Sequence, residues 1–372
     1  MNIGYDAKRA FLNRSGLGHY SRDTIRVLMT HQPGNNYFLF TPRDNNDLFR
    51  LSPAKNITVV TPGTIVQRLI PSYWRSISLS SSINRHRIDI YHGLSNELPA
   101  DIKNARARTV VTIHDLIFLR YPGYYNVIDR NIYLSKFRRS SEQADIIVAI
   151  SHQTRLDLME YLNISNDKIR VVYQGCNTRF YSGCSDEEKR AVAEKYGLPL
   201  HFLLTVGTVE ERKNLLALVK AIHMRKIEYP LVVVGRPTSY AGRVKEYIAR
   251  QGINRVFFLE NIPFGDLPAL YQMADIFIYP SVYEGFGIPI LEALVSGVPV
   301  ITNRTGCFRE AGGTHSCYID PSDPLELGDA IIRLLENEEE RKRMIREGKK
   351  HAQLFSDESI AANMAAVYNY LM

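Results

Sequence analysis

Cysteine is scarce in this sequence. There are four in 372 residues (Cys176, Cys184, Cys307 and Cys317), with no CxxC and no Cys/His spacing. That pattern excludes a zinc framework and a disulfide scaffold, and it suits a reducing cytoplasm. The Asp-x-Asp pair is missing altogether. No window holds the roughly eighteen uninterrupted apolar residues of a spanning helix. The opening MNIGYDAKRAF lacks the apolar core of a signal peptide and reads directly as a strand. Neither an internal repeat nor a low-complexity tract occurs, which argues against a solenoid or a linker-rich chain.

What is present is an ordinary globular composition, 45% hydrophobic and 23% charged, in a chain long enough for two domains. The net charge of +7 is lopsided. Residues 1–180 carry 24 Lys+Arg against 14 Asp+Glu, and residues 181–372 carry 22 against 25. The first half therefore faces an anionic partner or presents a solvated basic surface. Within it, residues 65–87 mix Ile65, Val66, Leu69, Ile70 and the single Trp74 with Arg68, Arg75, Arg85 and Arg87. Such a segment suits an anionic bilayer surface, or equally a core helix with solvated arginines.

Short β-branched and aromatic runs alternate with longer amphipathic stretches. Strands are predicted at NIGYDA, YFLFT, ITVVT, IDIYH, TVVTI, IIVAI and IRVVY, then at FLLTV, LVVVG, VFFLE, IFIYP and VPVI. Continuous apolar runs without polar alternation are what strands buried on both faces require. The alternation predicts an α/β chain with two parallel sheets, divided near the polar stretch 177–189. We expect domains at 1–180 and 181–355, with a final helix at 356–372. Its stripe of Ile360, Met364, Val367 and Leu371 should return to the first domain.

In open parallel sheets ligands sit beyond the carboxyl ends of the strands, so the loops there carry the chemistry. RSGLGHYSRD (14–23) has Gly16 and Gly18 before a helix, which is either a phosphate-approach loop or a plain glycine turn. As a dinucleotide fingerprint it is poor, because Ser21 stands where the third glycine belongs. TIHDLIF places His114 after an apolar strand, where a neutral imidazole could donate to a sugar hydroxyl or a leaving oxygen. Ser151 needs no role beyond capping a helix.

TVGTVEERKNL turns at Gly207 and brings Arg212 and Lys213 to a helix start. The pair is a diphosphate clamp or a basic pair screened by Glu210 and Glu211. IFIYPSVYEGFGIPILEAL is strand, loop and helix. Pro289 in the first turn leaves the amides near Phe286, Gly287 and Ile288 aimed at an anion. Glu284 and Glu292 flank that turn, and a carboxylate accepts the paired hydrogens of vicinal hydroxyls. Together these loops compose a site for a nucleotide sugar.

These residues resemble the retaining glycosyltransferases of family 4. GTVEERKN is similar to that family's donor-phosphate clamp, SGLGHYSRD to its first glycine loop, and Glu284-x7-Glu292 to its paired-glutamate element. ISHQTRLDLMEYL with KIRVVYQGCNTRF resembles the mannosyltransferases of bacterial O-antigen and related surface polysaccharides. The resemblance runs along almost the whole chain. It implies the GT-B fold of two facing Rossmann-like domains, and transfer of a hexose, mannose, to a saccharide or lipid-linked acceptor. It further implies that Glu292 holds ribose and that Glu284 and His114 contact the donor sugar. Arg212, Lys213 and Gly16 would bind the diphosphate, and Asn261 and Ile262 would frame the base.

The donor, GDP-mannose or a UDP-sugar, is a substrate, so no cofactor is implied; without Asp-x-Asp, no metal is expected either. The implied location is the cytoplasm, with peripheral contact at the inner face of the membrane. One departure stands out: Thr208 follows the clamp glycine where many relatives carry arginine. A nucleotide-sugar epimerase and a silent GT-B binding subunit are the alternative readings. A dehydrogenase is disfavoured by the broken fingerprint, and nucleic-acid binding does not explain paired carboxylates.

Overall fold

The computed structural model describes the chain except for residue 46, residues 51–54 and residues 65, 66 and 68. It divides into two compact units, Met1–Gly175 with Phe355–Met372, and Cys176–Leu354. The division falls a little before residue 180, ahead of the polar stretch rather than inside it.

The first unit holds seven strands, β1 (Asn2–Asp6), β2 (Asn36–Phe40), β3 (Ile57–Val60), β4 (Ile90–Gly93), β5 (Arg108–Ile113), β6 (Ile146–Ala149) and β7 (Ile169–Val171). They pair in the order β3-β2-β1-β4-β5-β6-β7, every pair parallel. The second unit holds β8 (Leu203–Val206), β9 (Leu231–Val234), β10 (Val256–Leu259), β11 (Ile276–Tyr279), β12 (Val300–Asn303) and β13 (Cys317–Ile319). Its order is β10-β9-β8-β11-β12-β13, again all parallel. β13 is an addition to the strands read from the sequence. Its three residues, CYI, are too short to make an apolar run.

Both orders reverse direction once, between β1 and β4 and between β8 and β11. At such a point two adjacent crossovers diverge to opposite faces and leave a crevice at the strand ends, where Rossmann-like sheets bind ligands. The strands that frame the crevices are built for burial on both sides. β4 and β11 are buried at every residue. β6 (IIVA) and β9 (LVVV) are buried throughout as well, and their Val and Ile side chains fill the pleat between two helical layers.

Local signals set the helix boundaries. Ser151 Oγ accepts from Thr154 N at 3.0 Å and caps the helix His152–Leu162. The C-terminal helix, Asp357–Leu371, packs in the first unit on the helix Gly16–His31. Arg26 reaches Asp357 at 3.0 Å across that contact, and Ile360, Met364 and Val367 are buried.

The segment 65–87 does not form one amphipathic face. Ile65, Val66 and Arg68 lie outside the described residues. Trp74 is 2% exposed and packs in a core with Val60, Ile83 and Tyr91. Arg75 turns inward beside it, donating to Asp6 Oδ2 at 2.6 Å and to Glu97 Oε2 at 3.1 Å. Leu69, Ile70 and Ile77 are exposed instead. Tryptophan as a membrane anchor and Arg75 as a headgroup ligand are therefore corrected: their partners are the core and two carboxylates. Among the described residues no helix is long and apolar enough to cross a membrane.

Candidate active site

In the second unit the loops after β8 and β11 meet at the strand reversal. Gly207 ends β8 with φ of 147°, and the Lys213 stem passes 3.5 Å from where its Cβ would stand. That spacing is ordinary contact, so it is the positive φ rather than crowding that favours glycine here. Arg212 and Lys213 sit in a short 3-10 turn, Glu211–Lys213. The loop after β11 is stitched to that turn. Val282 N donates to Arg212 O at 2.9 Å, and Arg212 NH1 donates back to Tyr283 O at 2.6 Å.

Glu284 is the hub of this loop pair. Its Oε1 receives Lys213 Nζ at 2.6 Å, Ser281 Oγ at 2.6 Å and Tyr279 O–H at 3.0 Å, with Arg212 NH1 at 2.7 Å. Lys213 also donates to the Tyr279 oxygen. Burial would raise the Glu284 pKa, but Lys213 and Arg212 overcome it and hold the carboxyl at about 2. Burial pulls the Lys213 pKa down, and Glu284 opposes it. One carboxylate oxygen within 2.7 Å of two cations makes the ionised cluster the state we assign. Burial, reinforced by Glu284, keeps the Tyr279 phenol protonated.

The paired glutamates are held by different groups. The helix Ile288–Ser296 starts behind Gly287, whose φ of 106° favours glycine, and Pro289 lies in its first turn. Pro289 carries no N–H and Ile290 N–H donates to Gly287 O at 2.9 Å, which leaves the Ile288 amide without an acceptor inside the helix. Glu292, half-buried on the next turn, accepts from Tyr271 O–H at 2.8 Å. Phe286 is 1% exposed, so its ring belongs to the core of this unit. Asn261, in the left-handed region at φ of 57°, and half-buried Ile262 lie beyond β10 at the sheet edge.

In the first unit, His114 lies directly beyond β5 and is buried. Its backbone is fixed on both sides: its N–H donates to Asn96 Oδ1 at 2.8 Å, and its carbonyl accepts from Thr154 Oγ1 at 3.2 Å. Nε2 lies 2.9 Å from Leu94 O, which can only accept, so Nε2 carries the proton. Burial pushes the pKa down to about 4, and the ring is neutral. The ring nitrogen left for a ligand is therefore Nδ1, an acceptor. This corrects the expected polarity: His114 can receive a hydrogen from a sugar hydroxyl, but its one N–H is already committed.

The glycine loop is also reassigned. The helix starts at Gly16 itself, so both glycines lie in its first turn. A Cβ on Gly18 would stand 2.0 Å from Asn13 O, whereas one on Gly16 would meet nothing within 4 Å. Gly18 serves close packing inside the chain, and only exposed Gly16 leaves open space at its backbone.

Two family models cover most of the sequence, Glycosyltransferase Family 4 over residues 15–180 and Glycosyl transferases group 1 over residues 185–351. O-antigen chain mannosyltransferase B of Escherichia coli is 32% identical over 76% of this chain and 74% of its own length. The chain belongs to the family 4 glycosyltransferases. The serotype-specific mannosyltransferase WbdA of Escherichia coli is 31% identical over 72% of the chain, but the match spans only 33% of that larger protein. Among solved structures, sucrose-phosphate synthase from Thermosynechococcus elongatus superposes with a TM-score of 0.79, covering 100% of this chain and 99% of its own. Anabaena Alr3699/HepE, in complex with UDP and glucose, gives 0.76 over the full length of both chains. At 20% and 17% identity these establish the shared GT-B fold.

Several residues that organise this glycosyltransferase's site escaped the sequence reading. Asn303, 1% exposed at the end of β12, donates through Nδ2 to Ser281 O at 3.1 Å and Val282 O at 3.0 Å, and so props up the Glu284 loop. Tyr279 and Ser281 complete the shell of Glu284. Each stands in the quoted strand–loop run, and the available signal was an aromatic and a hydroxyl on either side of Pro280 at a strand end. Asn303 gave no such signal, because its partners lie more than twenty positions away.

Proposed function

We propose that this glycosyltransferase moves mannose from a nucleotide-diphosphate sugar to a saccharide or lipid-linked acceptor, with retention and without a metal. The observation that carries the reading is the convergence of Arg212 and Lys213 on Glu284 at the β8/β11 reversal. A diphosphate arriving there meets two half-buried cations already in place. Charge developing on the leaving phosphate would be stabilised by groups that need no reorganisation. That is the task a divalent cation performs elsewhere, and the sequence contains no Asp-x-Asp to hold one.

In this reading the helix N-terminus at Ile288 supplies amides to the phosphate, Glu292 takes the ribose hydroxyls, and Asn261 and Ile262 frame the base through their backbone. Gly16 gives the phosphate a second, backbone approach. Glu284 contacts the sugar, and His114 accepts a hydrogen bond from a sugar hydroxyl through Nδ1. The reading needs no protein nucleophile. The acceptor hydroxyl attacks from the side on which the nucleotide leaves, and the departing phosphate takes its proton. Mannose as the transferred sugar rests on the names of the O-antigen relatives.

The test is product analysis with GDP-mannose and UDP-glucose as parallel donors and a mannoside acceptor. A mannosylated product with the donor's anomeric configuration is expected. An inverted product, or epimerised donor with nothing transferred, would replace this reading.

A further inference from the structure

We propose that Tyr368, on the C-terminal helix, is a positioning residue for His114 and acts through His92, Thr112 and Tyr20. The inference rests on the reading of His114 as a donor-sugar contact.

Beneath His114 runs a chain of buried hydrogen bonds that the reaction itself does not use. Tyr368 O–H donates to Tyr5 at 3.2 Å. Its oxygen therefore accepts from His92 Nδ1, 2.7 Å away. That assignment leaves His92 Nε2 as an acceptor, and Thr112 O–H, at 2.8 Å, must donate to it. Thr112 Oγ1 then accepts from Tyr20 O–H at 3.1 Å. Thr24 is a second hydrogen-bond partner of the Tyr20 hydroxyl, and from Thr112 to Tyr5 the chain runs in one direction.

Its near end touches the site. The Tyr20 ring stands edge-on to the His114 ring, centroids 4.5 Å apart and planes at 88°. Thr112, in β5, lies two residues before His114, which follows the strand, and Tyr20 meets both side chains. His92 and Thr112 are fully buried, and Tyr368 is 1% exposed. A hydrogen-bond chain in such surroundings is rigid when complete and costly when one partner is lost. Five separated segments, β1, the helix Gly16–His31, β4, β5 and the C-terminal helix, are thus linked in one chain that meets His114 through Tyr20. A network meant only to glue the helix down would not need to end against His114.

The purified chain, residues 1–372, is compared as wild type, Tyr368→Phe, Thr112→Val and Thr112→Ser. Turnover and donor KM are measured with GDP-mannose, and the imidazole ¹⁵N resonances are recorded. Tyr368→Phe and Thr112→Val should lower kcat about tenfold with donor KM within about twofold, as expected for a displaced reacting geometry. Both should also disturb the Nε2–H resonance of His114. Thr112→Ser, which keeps the hydroxyl, should restore both. Tyr368→Phe deletes one oxygen at the far end and decides the matter should Thr112→Val not fold. Folded variants with wild-type kcat and unmoved His114 resonances would overturn the proposal, whatever their loss of stability. Should the wild type turn over no donor, the reading of the reaction fails, while the His114 resonances still test the network.

Discussion

Lys213 Nζ and Glu284 Oε1 lie 2.6 Å apart although they are 71 residues apart in sequence. Each comes from the loop of a different strand, β8 or β11, on either side of the sheet's reversal. The contact binds the two motif loops into one body and buries a cation where a phosphate would come. A buried charge that loses its partner is left with its full desolvation cost. Glu284→Gln should therefore destabilise the second unit and release two unbalanced cations. The expected result is a lower Tm and slower transfer, with nucleotide affinity retained or increased. Calorimetric titration with GDP and UDP against thermal melts checks this; loss of nucleotide binding with an unchanged Tm would contradict it.

Removing the cations should act in the opposite way. Arg212→Ala and Lys213→Ala are each expected to lower kcat/KM by about 10² to 10³, the usual cost of deleting a charge-stabilising donor. EDTA should leave transfer intact in the wild type. Near-normal turnover in both variants would remove the phosphate-clamp assignment, and loss on chelation that magnesium or manganese restores would overturn the metal-free mechanism.

Stability against pH follows from two buried histidines and a half-buried carboxyl in the first unit. Burial holds the His92 pKa at about 3 and the His114 pKa at about 4, both below the usual 6.5. The unfolded chain then binds protons that the folded one refuses, so stability falls as pH drops from 6.5 towards 3. Asp23 is opposite. Burial raises its pKa to about 6 from 3.8, so its ionisation costs stability as pH rises through that window. Asp23→Asn should raise Tm at pH 7.5 and leave it nearly unchanged at pH 4. His92→Gln should flatten the acid limb. Melts from pH 4 to pH 8 decide both, and a Tm that rises on acidification in the wild type would reverse the assignment.

The two parallel sheets were legible because strands buried on both faces have to be continuous apolar runs. β13 was not, since three residues at a sheet edge carry no pattern. Gly207, Arg212, Lys213, Glu284 and Gly287 were legible as a group because each follows a strand within a few residues. Long-range burial hid the rest. Nothing beside Trp74 in the sequence says that Arg75 turns inward, because its partners Asp6 and Glu97 lie far along the chain. His92 and Tyr368 read as ordinary strand and helix residues, though they share a hydrogen bond across 276 positions. The polarity of His114 depends on Leu94 O, a backbone atom with no sequence signal at all.

The two glycines of the first loop offer a final discrimination. Gly18→Ala would drive a methyl into Asn13 O, 2.0 Å away with backbone behind it, so folding itself should suffer. Gly16→Ala meets open space, and its φ is not in the left-handed region, so the fold should tolerate it. Alanine at a helix start can even add a few tenths of a kcal/mol by restricting the unfolded chain. If a ligand's phosphate approaches the backbone at Gly16, that methyl stands in its way. Gly16→Ala should then keep or raise the Tm while donor KM rises by about tenfold, in line with a loss of roughly 1.4 kcal/mol of binding. Melting curves and donor kinetics on the two variants separate the roles. A Gly16→Ala enzyme with unchanged KM would leave that glycine as a helix start and nothing more.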